Sequence, residues 1–437
     1  MRATCRIERA SLAGCLMLLL LLPSGALGQD RERDDEGKQK SESTSSRWRR
    51  GGDDDDKAWG GHEYEIDVRT GKKLAAAREF LVAEQYDEAE KALDKLRMRN
   101  LNPLERAQAH RLRGYVAYGR GDLASARELL EKTIAEGALA RTEVASLRFQ
   151  IAQLWFQEQN WAEGARNLEI WFTIEPDPLP ASHYMLALAY YQLGDLEKAL
   201  LRAQMAVDAT DEPKEGWLQL LLALRLTRKE YPESVPILEQ LVRRFPKKSY
   251  FLSLSTVHGA LGNNEEALVP LQLAHRQGLL TEGTELMRLA QLLLFLGRPY
   301  RAAQVLQQGF DAGLIDESVD SLEMLSSSWI NAREFERAAE PLEHAARLSE
   351  DGELYVRLAQ VHIQREEWQA ASRALELGID KRLGSPGEAH LLMGIALHSQ
   401  KRPEQARTWF ARAREHSESR EEAEIWLQYI ERELASL

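Results

Sequence analysis

The side chains of this 437-residue chain that could do chemistry are its ten histidines, ten tryptophans and many carboxylates, and their spacing decides against most of it. A metal ion needs several ligands within reach of one point. His390 and His398 share one helical stretch but lie eight residues apart, about two turns, too far without a third ligand from elsewhere. His110, His183 and His390 each stand four residues before a small residue (Gly114, Ala187 and Gly394) on an apolar helical pattern, which reads as packing. Asp53 to Asp56 are adjacent carboxylates, without the alternating ligands and turn glycine of a calcium loop. Tryptophans can stack on sugars, but Trp155, Trp161, Trp171, Trp329 and Trp368 fall where paired helices need bulk, so core filling is the preferred reading. No glycine-rich phosphate loop or nucleophile elbow is found. Cys5 and Cys15 are the only cysteines, both within the first fifteen residues, so neither a disulfide framework nor thiolate chemistry is expected. The expectation is no enzyme activity, no metal and no cofactor.

The elements that carry these side chains are helices. From Leu186 to Ala206 two short amphipathic patterns meet at Gly194-Asp195, with small residues at Ala187, Ala199 and Ala206 and rings at Tyr190 and Tyr191. Small residues at such intervals let two antiparallel helices approach closely. The pattern recurs. The site of Leu196, in the first turn of the second helix, recurs at Tyr86, Leu123, Trp161, Tyr231, Asn264, Pro299, Phe335, Trp368 and Pro403, 33 to 38 residues apart, and in the first unit the paired helices are expected over Lys73 to Ala83 and Glu88 to Leu96. Three residues after that site in each unit, the close-contact site is Ala89, Ala126, Gly164, Ala199, Ser234, Ala267, Ala302, Ala338, Ala371 or Ala406. Its counterpart on the first helix is Ala77, Gly114, Ala152, Ala187, Leu222, Ser255, Ala290, Ser326, Ala359 or Gly394. The fifth unit departs most, with Leu222 at the small site and Arg225 at the aromatic one.

This pattern resembles the tetratricopeptide repeat (TPR), a helix–turn–helix unit of about 34 residues that stacks on copies of itself. The resemblance implies an all-α fold, a right-handed superhelical solenoid of about ten TPR helical hairpins plus a C-terminal capping helix, over residues 64–437. The cap is expected at 420–437, where Ala423, Ile425, Trp426, Tyr429, Ile430 and Leu434 form an apolar face for the open solenoid end. Gly278, Gly313 and Gly384 are expected to end second helices in the left-handed conformation.

Residues 1–28 read as a signal peptide. Arg2, Arg6 and Arg9 precede an apolar run from Leu12 to Leu22, too short for a stable membrane anchor, and Ala26-Leu27-Gly28 offers a cleavage site near Gly28. Lipid anchoring at Cys15 is the less favoured alternative, because Cys15 precedes most of the apolar run rather than following it. Residues 29–63, rich in charge, serine and glycine, read as a disordered linker. The net charge of −12 argues against sequence-independent nucleic-acid binding. No transmembrane segment is expected after signal cleavage, and the location expected is the periplasm.

In this family the concave groove is lined by first helices. In units two to four the resemblance places there Arg111, Tyr115 and Tyr118; Phe149, Gln153, Phe156 and Gln157; and Tyr184, Leu188, Tyr191 and Gln192. Rings and amides in a groove can hold a protein or peptide partner. The Lys/Asn/Arg constellation with which some relatives grip a C-terminal carboxylate is missing. Two stretches, 246–280 and 352–413, look like the periplasmic TPR proteins associated with TonB–ExbB–ExbD systems, which implies a scaffold assisting energy transduction and nutrient uptake. An alternative is a scaffold for outer-membrane protein assembly or polysaccharide export. An enzyme acting on peptidoglycan or sugar would need clustered carboxylates in the groove, whose central positions are mostly neutral.

Overall fold

A computed structural model describes residues 64–381 and 383–435 of the chain. The signal and linker readings, Cys5, Cys15, Asp53 to Asp56 and the last two residues of the cap lie outside these residues. The described residues form 21 α-helices and no strand. The first hairpins are α1 (Val68–Val82) with α2 (Tyr86–Asp94), α3 (Pro103–Gly119) with α4 (Leu123–Ala135), and α5 (Arg141–Gln157) with α6 (Trp161–Ile174). Then come the hairpin of α7 (Pro180–Leu193) with α8 (Leu196–Asp208), the successive helices α9 (Glu215–Thr227) and α10 (Tyr231–Arg244), and the hairpin of α11 (Lys248–Ala260) with α12 (Asn264–Arg276). The last are α13 (Gly283–Phe295) with α14 (Pro299–Asp311), α15 (Val319–Asn331) with α16 (Phe335–Leu348), α17 (Glu353–Gln364) with α18 (Trp368–Ile379), α19 (Pro386–Ser399) with α20 (Pro403–Arg414), and the closing α21 (Arg420–Ala435). None is long and apolar enough to cross a membrane.

All ten second helices begin at the residue the repeat register gives, Tyr86 through Pro403. The small sites explain why. Ala89, Ala126, Ala199, Ala302 and Ala406 have no exposed surface, and neither do Ala152, Ala187 and Ala290 on the facing first helices. The approach leaves no room for more: a Cβ on Gly394 would lie 2.5 Å from the Phe410 ring. Interiors packed this tightly register even one added methyl group. Leu222, the large exception, is still accommodated as a buried residue.

Each hairpin turn depends on one left-handed residue, two places before the second helix. Four of the ten are glycine (Gly121, Gly194, Gly262 and Gly297), and six are not: Glu84, Gln159, Lys229, Arg333, Glu366 and Lys401, with φ between 57° and 63°. Gly278 and Gly313 likewise take positive φ after α12 and α14. Gly384 does not; instead its N–H donates to Glu353 Oε1 at 2.6 Å. Helix starts are fixed by side chains. Asn102 accepts from the Glu105 N–H at 3.0 Å while Glu105 Oε2 accepts from the Asn102 N–H at 3.0 Å, and Pro103 fills the first helical position.

The chain divides into two compact units between Leu224 and Arg225, inside α9, in the repeat whose sequence departs most from the others. The second unit ends on α21. Its buried face is Ala423, Leu427 and Ile430, and the Trp426 ring stacks on Phe410 with centroids 5.2 Å apart. His398 Nε2 meets Glu433 Oε2 at 2.8 Å. Two residues assigned to the apolar face from sequence do not join it: Ile425 is 63% and Tyr429 54% exposed. At 100° per residue they stand well off the stripe through 423, 427 and 430, where Leu427 takes the place expected of them.

Candidate interaction surfaces

In the first unit, α3, α5 and α7 position the residues expected to line the groove. On α3, Arg111 Nε donates to the Tyr115 hydroxyl at 3.1 Å, and a second guanidinium nitrogen donates to Glu143 Oε1 at 3.1 Å. Burial alone would lower the pKa of Arg111, but Tyr115 and Glu143 outweigh it and hold the guanidinium charged. The Tyr115 hydroxyl in turn donates to Gln150 Oε1 at 3.2 Å. These bonds tie α3 to α5.

The rings do not gather with one another. Phe149 packs on Trp171, centroids 5.1 Å apart, and Tyr184 stacks on Trp217 at 5.8 Å. Phe156 lies against Trp161 at 5.8 Å and occupies the space a Cβ on Gly164 would need. The three are therefore seam residues, each resting on the nearest tryptophan because that removes most apolar surface from water. Tyr118 and Tyr184 are half-buried, which pushes both hydroxyl pKa values up. Gln153 is half-buried too, whereas Gln157, Tyr191 and Gln192 are exposed. Of the residues named from sequence, these last three form the open surface.

A second kind of surface was missed in the sequence because it is shared by three helices. Where two successive second helices flank a first helix, a cleft opens with a tryptophan in its wall. In the first unit the cleft, about 410 Å³, lies between α4 and α6 over α5 and includes Trp155. Its charges pair internally. The Arg127 guanidinium sits 3.7 Å above the Trp155 ring and bonds Glu158. Arg148 bonds Glu131 at 2.7 Å and Asn167 at 3.2 Å.

In the second unit the corresponding cleft, about 600 Å³, lies between α14 and α16 over α15 and includes Trp329. Three carboxylates, Asp311, Glu317 and Glu340, line it against one guanidinium, Arg337, and one imidazole, His344. Arg337 lies over Trp329, 5.0 Å from the ring centroid, and reaches the Tyr300 hydroxyl at 3.5 Å rather than a carboxylate. The available sequence signal is that Gln304 and Gln308 on α14 recur 36 residues later as Glu340 and His344 on α16, so four polar side chains face one another across a single repeat.

The TPR family profiles match residues 74–141, 356–420 and 180–200. A comparison with curated proteins gives no match. Among solved structures, the chain resembles the MamA protein at 20% identity and a TM-score of 0.32, over 38% of this chain and 90% of that one. It also resembles a TPR repeat-containing protein from Cytophaga hutchinsonii at 11% identity and a TM-score of 0.35, over 63% and 95%. A third likeness is to the Cut9–Hcn1 hetero-tetramer of the APC/C at 13% identity and a TM-score of 0.32, over 83% and 96%. No functional reading rests on likenesses of this size. From the profile matches, the chain carries tetratricopeptide repeats, a fold that as a rule serves as a non-catalytic scaffold for protein partners.

Proposed function

We propose that this chain is a non-enzymatic protein-binding scaffold whose primary contact surface is the first-helix face of the first unit. The observation that carries this is the layering of that face. Phe149, Phe156 and Tyr184 are committed to seams, while Tyr191, Gln192 and Gln157 stand exposed above them on rigid helices. A ring and two amides so placed offer an apolar anchor and hydrogen bonds to a partner's backbone, the mixture found at interface hot spots. Arg111, Tyr115 and Gln150 hold α3 and α5 in register beneath it.

The finer reading places the scaffold in a bacterial periplasm, assisting TonB-dependent energy transduction. It is supported by the charged, apolar and small-residue sections of residues 1–28 and by the sequence resemblance of the later repeats. The alternative, a scaffold for outer-membrane protein assembly or polysaccharide export, draws on the same export signal. The deciding experiment is an affinity pull-down from envelope extract with wild type beside a Tyr191→Ala/Gln192→Ala variant. Recovery of TonB-system components by wild type alone is the expected result. Recovery of assembly machinery favours the alternative, and equal recovery by the variant removes the proposed face.

A further inference from the structure

Two helices of this chain each leave open a face that the neighbouring repeats keep covered. A first helix is packed on by the repeat before it: Ala109, Leu112 and Val116 of α3 are buried in clusters shared with α1 and α2. One repeat earlier the same stripe of α1 carries Lys72, Ala75 and Glu79, all exposed, and Val68 and Val82 beside them are 72% and 60% exposed. α21 is open on the opposite side. It packs on α19 and α20 as a first helix does, with Ala423 in the place that Ala389 holds on α19. Its Ile425 and Tyr429 correspond to Leu391 and Ile395 of α19, which lie in a cluster shared with α21, but no described helix covers Ile425 or Tyr429 in turn.

The repeats themselves give the register in which two such faces meet. Leu74 of α1 shares a cluster with Ala109 of α3, and Leu81 shares one with Val116. On α21 the places of Leu74 and Leu81 are held by Ile425 and Arg432, and on α1 the places of Ala109 and Val116 are held by Lys72 and Glu79. Laid together in that register, Arg432 meets Glu79. Glu421 and Glu422, one turn before Ile425, meet Lys72, and Ile425 and Tyr429 come over Ala75 between the two charge pairs. Lys72, Glu79, Glu422 and Arg432 make no ion pair among the described residues. The helices also differ in overall sign: α1 has four cations and one carboxylate, α21 five carboxylates and two guanidinium groups. The face of α1 thus fits an acidic turn, an apolar middle and a basic end, which is the pattern α21 carries.

We propose that α21 of one molecule docks on α1 of a second copy, head to tail, continuing the helical array across the junction. The two patches differ, so the contact does not close on itself as a two-fold one does, and it builds chains or rings of copies. One helix on one helix is a small interface, which sets the affinity in the micromolar range, about 10–100 µM. The junction does not draw on the scaffold reading and uses neither Tyr191 nor Gln192.

The test is sedimentation velocity of full-length protein between about 1 and about 200 µM, where the average mass should rise with concentration. The rise should weaken as salt screens the charge pairs. Ile425→Ser/Tyr429→Ser should weaken association by about tenfold or more. Glu79→Arg and Arg432→Glu, both at exposed positions, should each weaken it by about fivefold to tenfold. The double swap Glu79→Arg/Arg432→Glu should return it to within about twofold of wild type, and so should an equimolar mixture of the two single variants. Tyr191→Ala/Gln192→Ala should leave it unchanged. A monomer at every concentration overturns the proposal, as do single swaps without effect or a double swap that fails to recover. Association that survives Ile425→Ser/Tyr429→Ser belongs to another surface, such as the apolar run 12–22, and loss in Tyr191→Ala/Gln192→Ala puts α21 against the first-helix face; either result sinks the junction.

Discussion

Two clefts of one design differ in what fills them. Where the first unit has Arg127 on α4 and Arg148 on α5, the second has Ala303 on α14 and Leu322 on α15 at the corresponding places, both buried. The first cleft sets Arg127, Arg148 and Arg166 against Glu128, Glu131 and Glu163, and most of these make ion pairs inside the unit. The second has Gln304, Gln307 and Arg337 where the first has Glu128, Glu131 and Glu163, and it carries its own carboxylates at Asp311, Glu317 and Glu340. A repeat thus keeps its backbone while its side chains decide how far the charges of a surface are paired within it. Half-buried pairs of the first kind rigidify a seam, and breaking one strands its partner.

The largest contrast is expected at the tryptophans. Trp329→Ala removes a side chain almost wholly enclosed and should destabilise the α14–α16 region by about 3–5 kcal/mol. Trp155 is half-buried under Arg127, so Trp155→Ala should cost less, about 1–3 kcal/mol. Hydrogen-exchange protection of α15 and α5 reads the two losses separately, which a single unfolding midpoint of a repeat array does not. Equal losses would mean that the two rings play one structural role and that the clefts are not distinct.

A smaller effect should come from making one cleft like the other. Arg148→Leu installs the residue found at Leu322 and leaves Glu131 without its guanidinium, for an expected loss of about 1–3 kcal/mol in the α4–α6 region. Unchanged exchange protection of α4 to α6 would mean that the Arg148–Glu131 pair is not what closes the first cleft.

Acid should also distinguish the units. Burial lowers the pKa of His110, with Glu136 3.7 Å away opposing it, and burial lowers that of His390, with His416 and Arg412 adding to the shift. Each is a base whose folded pKa lies below its unfolded value of about 6.5, so the unfolded chain binds the proton first. Stability is then full above that value and falls as pH drops through it toward the folded pKa. The carboxylate is the strongest charged neighbour of His110, whereas for His390 Glu415 is outranked by His416 and Arg412. His390→Phe should therefore remove more of the acid sensitivity of α19 and α20 than His110→Phe removes from α3 and α4, as read by exchange between pH about 7 and about 5. The reverse order would mean that Glu136 does not protect His110.

The repeat was legible because it is written in size: a small residue three places into each second helix is needed whatever surrounds it, so the register from Tyr86 to Pro403 could be set from sequence alone, although the first of these helices opens at Tyr86 rather than at the expected Glu88. The groove was legible only by register. Sequence placed Phe156 on the first-helix face, but whether its ring faces outward or lies on Gly164 depends on a contact across the hairpin, and Gly164 was noticed only as a small site. Ile425 and Tyr429 were assigned to the apolar face of the cap by composition, whereas the helical period turns them outward. The α14–α16 cleft was least visible, since its carboxylates come from α14, α16 and the loop before α15, and each alone looks like an ordinary solvated charge.

The smallest expected effect tests whether the two clefts differ in side chains alone. Each first wall, α4 or α14, follows a glycine turn at Gly121 or Gly297, and each second wall, α6 or α16, follows a left-handed non-glycine residue, Gln159 or Arg333, both at φ 60°. An L-residue there costs about 1–2 kcal/mol, partly offset by the larger entropy that glycine loses on folding. Gln159→Gly and Arg333→Gly should each stabilise their hairpin by up to about 1 kcal/mol, and by similar amounts, because the turns match. Neither substitution touches a residue lining its cleft. A gain in stability from Arg333→Gly with no matching gain from Gln159→Gly would place the difference between the clefts in the setting of α16 rather than in Ala303 and Leu322, and the argument from charge would have to yield to one from backbone.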